Sequence, residues 1–185
     1  MAKLYPWWLV YSFDNPLRRL FHKPDQILAG LIRPGQTVLD LGCGMGYFSI
    51  PMARLVGPGG RVIAADVQEQ ILAAARRRAA RAGLLERICF HRCRSDDLGI
   101  CEVVDFVLAF WMVHEAPDPA RLLWQVRHIL RPEGYFLMVE PKVHVPTAQF
   151  ERSVTLARAA GLEVSARPRV RLSQAALFSV VRSGQ

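Results

Sequence analysis

The sequence VLDLGCGMG at residues 38–46 decides the fold class, because it places three glycines directly after an apolar strand. Glycine adopts positive φ angles and lets the backbone lie against a ligand, since no Cβ occupies the ligand's volume. The segment therefore predicts a strand, a tight glycine-rich loop and then a helix. RVIAAD at residues 61–66 predicts a second buried strand after that helix, which completes a βαβ unit.

Strands and helices alternate along the rest of the chain. Apolar runs predict strands at residues 36–41, 61–66, 87–93, 103–110, 135–140, 162–170 and 175–181, and helical periodicity predicts helices at 47–56, 68–82, 119–130 and 147–160. Strands separated by such helices need crossover connections, so we predict an α/β, Rossmann-like doubly wound sheet with helices on both faces. Only residues 171–174 join the last two strands, so the last strand is predicted to run antiparallel. A ligand site is expected at the carboxyl ends of the first strands, at the topological switch point.

The composition is that of one compact domain. The chain has 185 residues, 51% hydrophobic and 22% charged, and no stretch approaches the roughly 20 apolar residues of a membrane helix. We therefore expect a soluble protein without a transmembrane segment. The four cysteines form no CxxC pair or disulfide framework and the N-terminus has no convincing signal peptide, so a cytoplasmic location is expected.

The formal net charge of +8 taken alone suggests a polyanionic partner, because clustered cations release counterions when they bind phosphates. The cations, however, are mostly arginines scattered along the chain among many alanines. A compositional bias toward these two residues would produce the same pattern. Nucleic-acid binding is therefore an alternative that charge alone does not favour.

Two acidic residues lie where the first two predicted strands end. Asp66 lies 20 residues beyond Gly46, at the end of the second strand, where a carboxylate can accept both hydrogen bonds of a ribose diol. Asp40 precedes the first glycine by two residues, where its charge would repel a pyrophosphate but attract an ammonium group. Neither a GxGxxG fingerprint nor a P-loop is present. An adenosine that carries a methionine, S-adenosylmethionine (SAM), fits both acids.

These features resemble the class I SAM-dependent methyltransferases, particularly the small-molecule branch that is similar to ubiquinone and menaquinone biosynthesis C-methyltransferases. The resemblance covers roughly residues 24–181 and rests on VLDLGCGMG at 38–46, VIAADV at 62–67, DFVLAFWMVHEAPDP at 105–119 and LRPEGYFLMVEPK at 130–142. It implies a seven-stranded sheet with an antiparallel last strand and a SAM-binding domain at residues 24–185. It also implies SAM as the cofactor and S-adenosylhomocysteine (SAH) as its product.

The resemblance also implies roles for individual residues. It places Asp40, Gly42, Cys43 and Gly44 at the methionine end of SAM, Asp66 at the ribose, Val67 against the adenine, and Phe110 and Trp111 at the sulfonium. Aromatic faces at the last position would also favour the positive sulfur.

One segment departs from the family pattern. The family usually has an acidic residue followed by a small one after the third strand, where it binds the adenine amino group. Here Arg94 takes the acidic position. Either Asp96 or Asp97 substitutes through a shifted loop, or backbone atoms near Ser95 bind the adenine.

Candidate catalytic residues follow the fourth and fifth strands. A general base is required only if the acceptor must lose a proton during attack. His114 and Glu115 follow the fourth strand, where a base could reach an acceptor, and the alternative is that His114 packs against or caps the next element. His144, after the fifth strand, is a second candidate base. Lys142 in the same loop could hold an acidic substrate or be a solvated loop charge.

The N-terminal segment is rich in aromatic residues, including Trp7, Trp8 and Tyr11. Similar enzymes use a segment before the core as a lid over the acceptor, and lids exclude water and complete a site. We therefore predict a lid or packing segment at residues 1–23, with these aromatics contacting the substrate. The alternatives are packing on the core or across a homodimer, and contact with a membrane interface.

We therefore predict a methyltransferase that acts on a small aromatic or apolar acceptor at O, N, S or C. One alternative is an RNA or protein methyltransferase that uses the basic surface, and another is a SAM- or SAH-binding regulator without turnover. No metal site is predicted. Cys89, His91 and Cys93 alternate along one strand, but three such ligands without a fourth at motif spacing do not define zinc.

Overall fold

Seven strands form one sheet at the centre of the fold, in a computed structural model that describes residues 22–181. The strands are β1 (Thr37–Leu41), β2 (Arg61–Asp66), β3 (Ile88–Arg92), β4 (Val104–Phe110), β5 (Leu130–Pro141), β6 (Leu162–Ala166) and β7 (Ser173–Val180). Their order across the sheet is β3-β2-β1-β4-β5-β7-β6. The five strands β1 to β5 are parallel, and β7 runs antiparallel to both of its neighbours. The predicted Rossmann-like fold class is confirmed.

Five α-helices of the described region cover the two faces of the sheet. They are α1 (Pro24–Ile27), α2 (Ser49–Val56), α3 (Glu69–Arg81), α4 (Pro119–Ile129) and α5 (Thr147–Ala159). Apolar side chains of α2 and α3 pack on one face, and those of α4 and α5 pack on the other. Because β1 connects to β2 on one side and lies beside β4 on the other, the gap between the carboxyl ends of β1 and β4 is the topological switch point.

The structure places several element ends differently from the sequence prediction. The predicted helix at 119–130 ends at Ile129, because Leu130 pairs with Val104 and begins β5 five residues earlier than expected. The strand predicted at 162–170 ends at Ala166, because β6 lies at the sheet edge and pairs only with β7. β7 inserts between β5 and β6, which no local pattern predicts because strand pairing is long-range.

Residues 1–21 lie outside the described part of the chain, and with them Trp7, Trp8 and Tyr11. The lid therefore stays a prediction. Within residues 22–181, every helix is too short or too polar to cross a lipid bilayer.

Phe106 lies in the middle of β4 and is fully buried between β1 and β5. It belongs to the apolar cluster between the sheet and α2, which also contains Val38, Met52 and Leu137. Since removal of a buried aromatic ring leaves a cavity that the packed core cannot fill, this residue should be important for stability.

We predict that Phe106→Ala lowers the free energy of unfolding by about 3–5 kcal/mol. Val103→Ala, at a position that is 49% exposed just before β4, should change it by less than about 0.5 kcal/mol. Urea denaturation of both variants measures the difference, and equal effects would contradict this account of the core.

Candidate active site

A pocket opens at the carboxyl ends of β1, β2 and β4, on the switch point of the sheet. Twelve of the site residues predicted from the sequence line it: Asp40, Gly42, Cys43, Gly44, Asp66, Val67, Ser95, Phe110, Trp111, His114, Glu115 and His144. The parallel strands bring these residues together because their carboxyl ends meet at one edge.

The glycine loop after β1 forms the floor of the pocket. Gly42, Gly44 and Gly46 all have positive φ angles, at 70°, 52° and 80°. A Cβ on Gly42 would lie 2.9 Å from the Cβ of Met112, which is closer than side chains approach. The backbone N–H groups of Gly42 and Cys43 both donate to the carbonyl oxygen of Ala65, at 2.9 Å, which ties the loop to β2. Glycine at position 42 is therefore required by both conformation and space.

Two buried carboxylates flank this loop. Asp40 accepts a hydrogen bond from the Ser49 hydroxyl at 2.5 Å. Asp66 accepts the backbone N–H of Gly44 at 3.2 Å through Oδ2 and that of Gln68 at 3.0 Å through Oδ1. Burial raises the pKa of Asp66 above its ordinary value, although these backbone hydrogen bonds oppose the change. A carboxylate has about four acceptor positions, so Asp66 keeps acceptor capacity toward the pocket.

Aromatic rings form part of the pocket wall. The Phe110 ring lies 4.5 Å from that of Phe48 and 5.5 Å from that of Trp111. Trp111 has a φ of 63°, which is an uncommon conformation for a bulky residue. Its backbone N–H donates to Val139 at 2.8 Å and its indole Nε1–H to the Ser173 hydroxyl at 3.0 Å. These two bonds hold a strained residue at the pocket, as is typical of functional sites.

His114 also lines the pocket and lies in a short 3₁₀ turn, Val113–Glu115. Its Nδ1 lies 2.5 Å from Oε2 of Glu140, a carboxylate that is fully buried at the end of β5. Burial alone would lower the pKa of His114, but the hydrogen bond to Glu140 and the charges of Glu140 and Glu115 outweigh it and raise the pKa. Burial also raises the pKa of Glu115. The turn thus presents a basic imidazole to the pocket.

The loop after β3 contains the residues that were expected near the adenine. Arg94 and Ser95 line the pocket, whereas Asp96 and Asp97 do not. Asp96 instead accepts from Nε of Arg94 at 3.3 Å, and both side chains are largely exposed. The lining therefore includes Ser95 but neither of the two acids, and the residue that binds the adenine stays a prediction.

Lys142 also lies away from the pocket. It is exposed and lines a second cleft, together with Arg167, Arg169 and Arg171. His144, two residues further on, is exposed as well but does line the first pocket.

Sequence reasoning did not identify Glu140, Phe48 or Met112. Glu140 stands among apolar residues of β5, and one acidic residue near the carboxyl end of a buried strand was the available signal. Phe48 and Met112 look like ordinary core residues in the sequence, and only the folded chain shows that they line the pocket.

A mostly parallel seven-stranded sheet with this glycine loop between two buried acids defines a class I SAM-dependent methyltransferase fold. The model of the family described as "Methyltransferase domain" matches residues 32–166, which is most of the chain, and the chain belongs to this family. The assignment made from the sequence is confirmed, and SAM is the cofactor of that class.

Named relatives and a solved structure agree with this assignment. The chain is 31% identical over 109 residues to a demethylmenaquinone methyltransferase of Symbiobacterium thermophilum, covering 58% of this chain and 43% of the relative. It is 33% identical over 142 residues to a ubiquinone biosynthesis O-methyltransferase of Cereibacter sphaeroides, covering 69% of this chain and 56% of the relative. The chain thus spans about half the length of these two relatives.

The crystal structure of a SAM-dependent methyltransferase from Aquifex aeolicus superposes with a TM-score of 0.86 at 22% identity. The match covers 96% of this chain and all of that one. At this identity the likeness shows the fold alone.

The four cysteines differ in their surroundings. Burial, with the charges of Asp40 and Asp66, raises the pKa of Cys43 well above its ordinary value, and burial raises that of Cys93 to about 11. Cys89 and Cys101 are exposed. Because the thiolate is the reactive form, the two pocket thiols should be much less reactive than the exposed pair.

We predict that iodoacetamide modifies Cys89 and Cys101 of the folded protein at least about tenfold faster than Cys43 and Cys93. Peptide mass spectrometry over a time course measures each rate, and the denatured chain, in which all four thiols should react alike, is the control. Fast modification of Cys43 would show that the pocket is more open than described.

Proposed function

We propose that this chain transfers the methyl group of SAM to a small aromatic or apolar acceptor. The observation that carries the proposal is the position of Asp66, a buried carboxylate that the loop amides hold at the pocket with acceptor capacity to spare. The glycine floor beside it leaves space that side chains would fill. The residues therefore fit a ligand that has a diol at one end and a cation at the other.

Different pocket residues would contact three parts of SAM. Asp66 accepts the ribose hydroxyls, and Val67 and Ser95 lie beside it where the adenine would bind. Asp40 attracts the ammonium of the methionine end through its charge. The faces of Phe110 and Trp111 favour a positive sulfur. When bound, SAM supplies a methyl group that its sulfonium has already activated.

The pocket is also suited to an apolar acceptor. Its lining includes the apolar side chains of Met112, Ala116, Pro117, Leu122 and Pro141. The names of the two relatives refer to quinones, which are ring compounds, and this supports an aromatic acceptor. We retain the lid of residues 1–23, with Trp7, Trp8 and Tyr11, as part of the proposal, since that segment of the sequence is rich in aromatic residues.

A second candidate function is methylation of RNA. Lys142, Arg167, Arg169 and Arg171 line one cleft near the carboxyl edge of the sheet, and the one acidic residue that lines it, Glu151, pairs with Arg167. Such a cluster of cations would contact phosphates and make the affinity fall with salt.

We predict that SAM and SAH bind the full chain in calorimetric titrations and that Asp66→Asn weakens SAM binding about 10- to 100-fold, because hydrogen bonds to a carboxylate are lost. Asp96→Asn, at an exposed acid outside the pocket lining, is the matched control and should bind as the parent does.

The pH dependence of SAM binding gives a second check on Asp66. Protonation removes the acceptor carboxylate, and the pKa of Asp66 is raised, so affinity should fall on acidification at a higher pH than an exposed aspartate would give. Asp66→Asn should lack this dependence. Equal SAM affinity of Asp66→Asn and the parent would overturn the proposed cofactor site.

We predict that incubation with methyl-labelled SAM and a fractionated cell extract labels the small-molecule fraction. If only RNA is labelled and this labelling disappears as the salt concentration rises, methylation of RNA would be favoured, because phosphate contacts are salt-sensitive. SAM binding without label in any fraction would contradict methyl transfer and favour a regulator.

A further inference from the structure

We infer that Glu140 is a positioning residue that holds His114 with Nε2 ready to accept a proton, so that the methyl acceptor is a group that must lose a proton, such as a hydroxyl. This inference rests on the proposed methyl transfer and adds to it a base, a residue that orients the base, and a substrate class.

Glu140 binds both the side chain and the backbone of the turn that carries His114. Its Oε1 accepts the backbone N–H of Val113 at 2.8 Å and that of His114 at 3.3 Å. Its Oε2 lies 2.5 Å from Nδ1 of His114. Glu140 itself is fully buried. One carboxylate therefore fixes the position of the turn and the orientation of the ring.

The same contact selects the tautomer of the imidazole. A carboxylate only accepts hydrogen bonds, so we assign the ring proton to Nδ1. In the neutral ring Nε2 then carries a lone pair, and this nitrogen is on the edge of the ring away from Glu140. His114 lines the pocket, and we assign Nε2 as the ring atom that a bound acceptor would meet.

Electrostatics strengthens His114 as a base. Two charged groups act on it directly, Glu140 from β5 and Glu115 from its own turn, where Oε1 lies 3.9 Å from Nε2. Asp66 acts on Glu115 from the end of β2. Both direct neighbours are acidic, so they stabilise the imidazolium that forms when Nε2 takes a proton.

The reaction that follows from this arrangement balances in one step. The acceptor's O–H proton moves to Nε2, and the oxygen's electron pair forms the bond to the methyl carbon. The bond between that carbon and sulfur breaks, and its electron pair stays on sulfur, which loses its positive charge. Glu140 keeps its contact with Nδ1, and the imidazolium later releases its proton to solvent.

The tautomer of His114 can be measured in the full chain without any acceptor. Long-range ¹H–¹⁵N spectra of the ¹⁵N-labelled protein report the protonation of each ring nitrogen over a pH series, and His114→Gln assigns the signal among the five histidines. We expect Nδ1–H in the neutral ring. Protonation at Nε2 instead would overturn the inference.

The variant Glu140→Gln separates orientation of the base from support of the fold. Its amide oxygen can still accept the backbone N–H groups, while its NH₂ faces Nδ1, so we expect the tautomer to switch to Nε2–H and the pKa of His114 to fall. Glu163→Gln, at an exposed glutamate of β6, is the matched control and should change neither. An unchanged His114 titration in Glu140→Gln would contradict the inference.

Turnover provides the functional readout, measured with labelled SAM and the acceptor fraction found above. We expect Glu140→Gln to retain SAM affinity within about twofold but to lose at least about tenfold in kcat, as for an impaired general base. In the parent the rate should rise with pH as His114 loses its proton, and in the variant this rise should move to lower pH. If the parent does not bind SAM, the proposed function is refuted. If Glu140→Gln binds SAM normally and its pH–rate profile matches that of the parent, only this inference is refuted.

The methylated product tests the substrate class. With ¹³C-methyl SAM, NMR locates the transferred methyl group. A methyl group on an atom that had carried a proton supports the inference, and a methyl group on a tertiary amine or thioether overturns it.

Discussion

Three carboxylates are buried where parallel strands end, Asp40 in β1, Asp66 in β2 and Glu140 in β5, and the rest of the site is arranged around them. Burial of a charge is costly unless hydrogen bonds compensate for lost water. Here each carboxylate accepts donors from the loop or helix that follows a strand: the Ser49 hydroxyl, the amides of residues 44 and 68, and the turn at residues 113–114. The same bonds that make the charges tolerable also fix the loops in place.

The other buried polar side chains of the described region serve the same edge. His22 packs edge-on against Phe110 and Trp111, Ser49 donates to Asp40, and Ser173 accepts from Trp111. Polar groups are expensive inside a core, so their concentration at one edge marks where the chain gives up stability for function. The pKa values of two site carboxyls also indicate a cost in stability. Burial raises the pKa of Asp66 and Glu115 in the folded protein. The free energy of unfolding that they contribute therefore falls as pH rises from the ordinary carboxyl pKa range through their raised pKa values.

The parts of this arrangement that follow from local pattern could be predicted from the sequence. Asp40 and Asp66 were found because each ends an apolar run next to a glycine loop or a helix. Glu140 was not, because it is 26 residues from His114 and only the pairing of β4 with β5, which sets Phe110 beside Val139, brings the two together. The loop after β3 has no periodicity, so the sequence could not decide between Ser95 and its acidic neighbours.

The antiparallel strand β7 explains why a basic cleft lies beside the pocket. Parallel strands end at the site edge, whereas β7, running the other way, begins there, so the chain that enters it must pass this edge. That entering segment carries Arg167, Arg169 and Arg171, and its Leu172 carbonyl accepts the backbone N–H of Lys142 at 3.0 Å. The first residue of β7, Ser173, accepts the indole N–H that helps to hold the strained Trp111. The antiparallel strand β7 therefore supplies both a wall of the cleft and a support for the pocket. A parallel strand at the same position would begin at the opposite edge of the sheet and would supply neither.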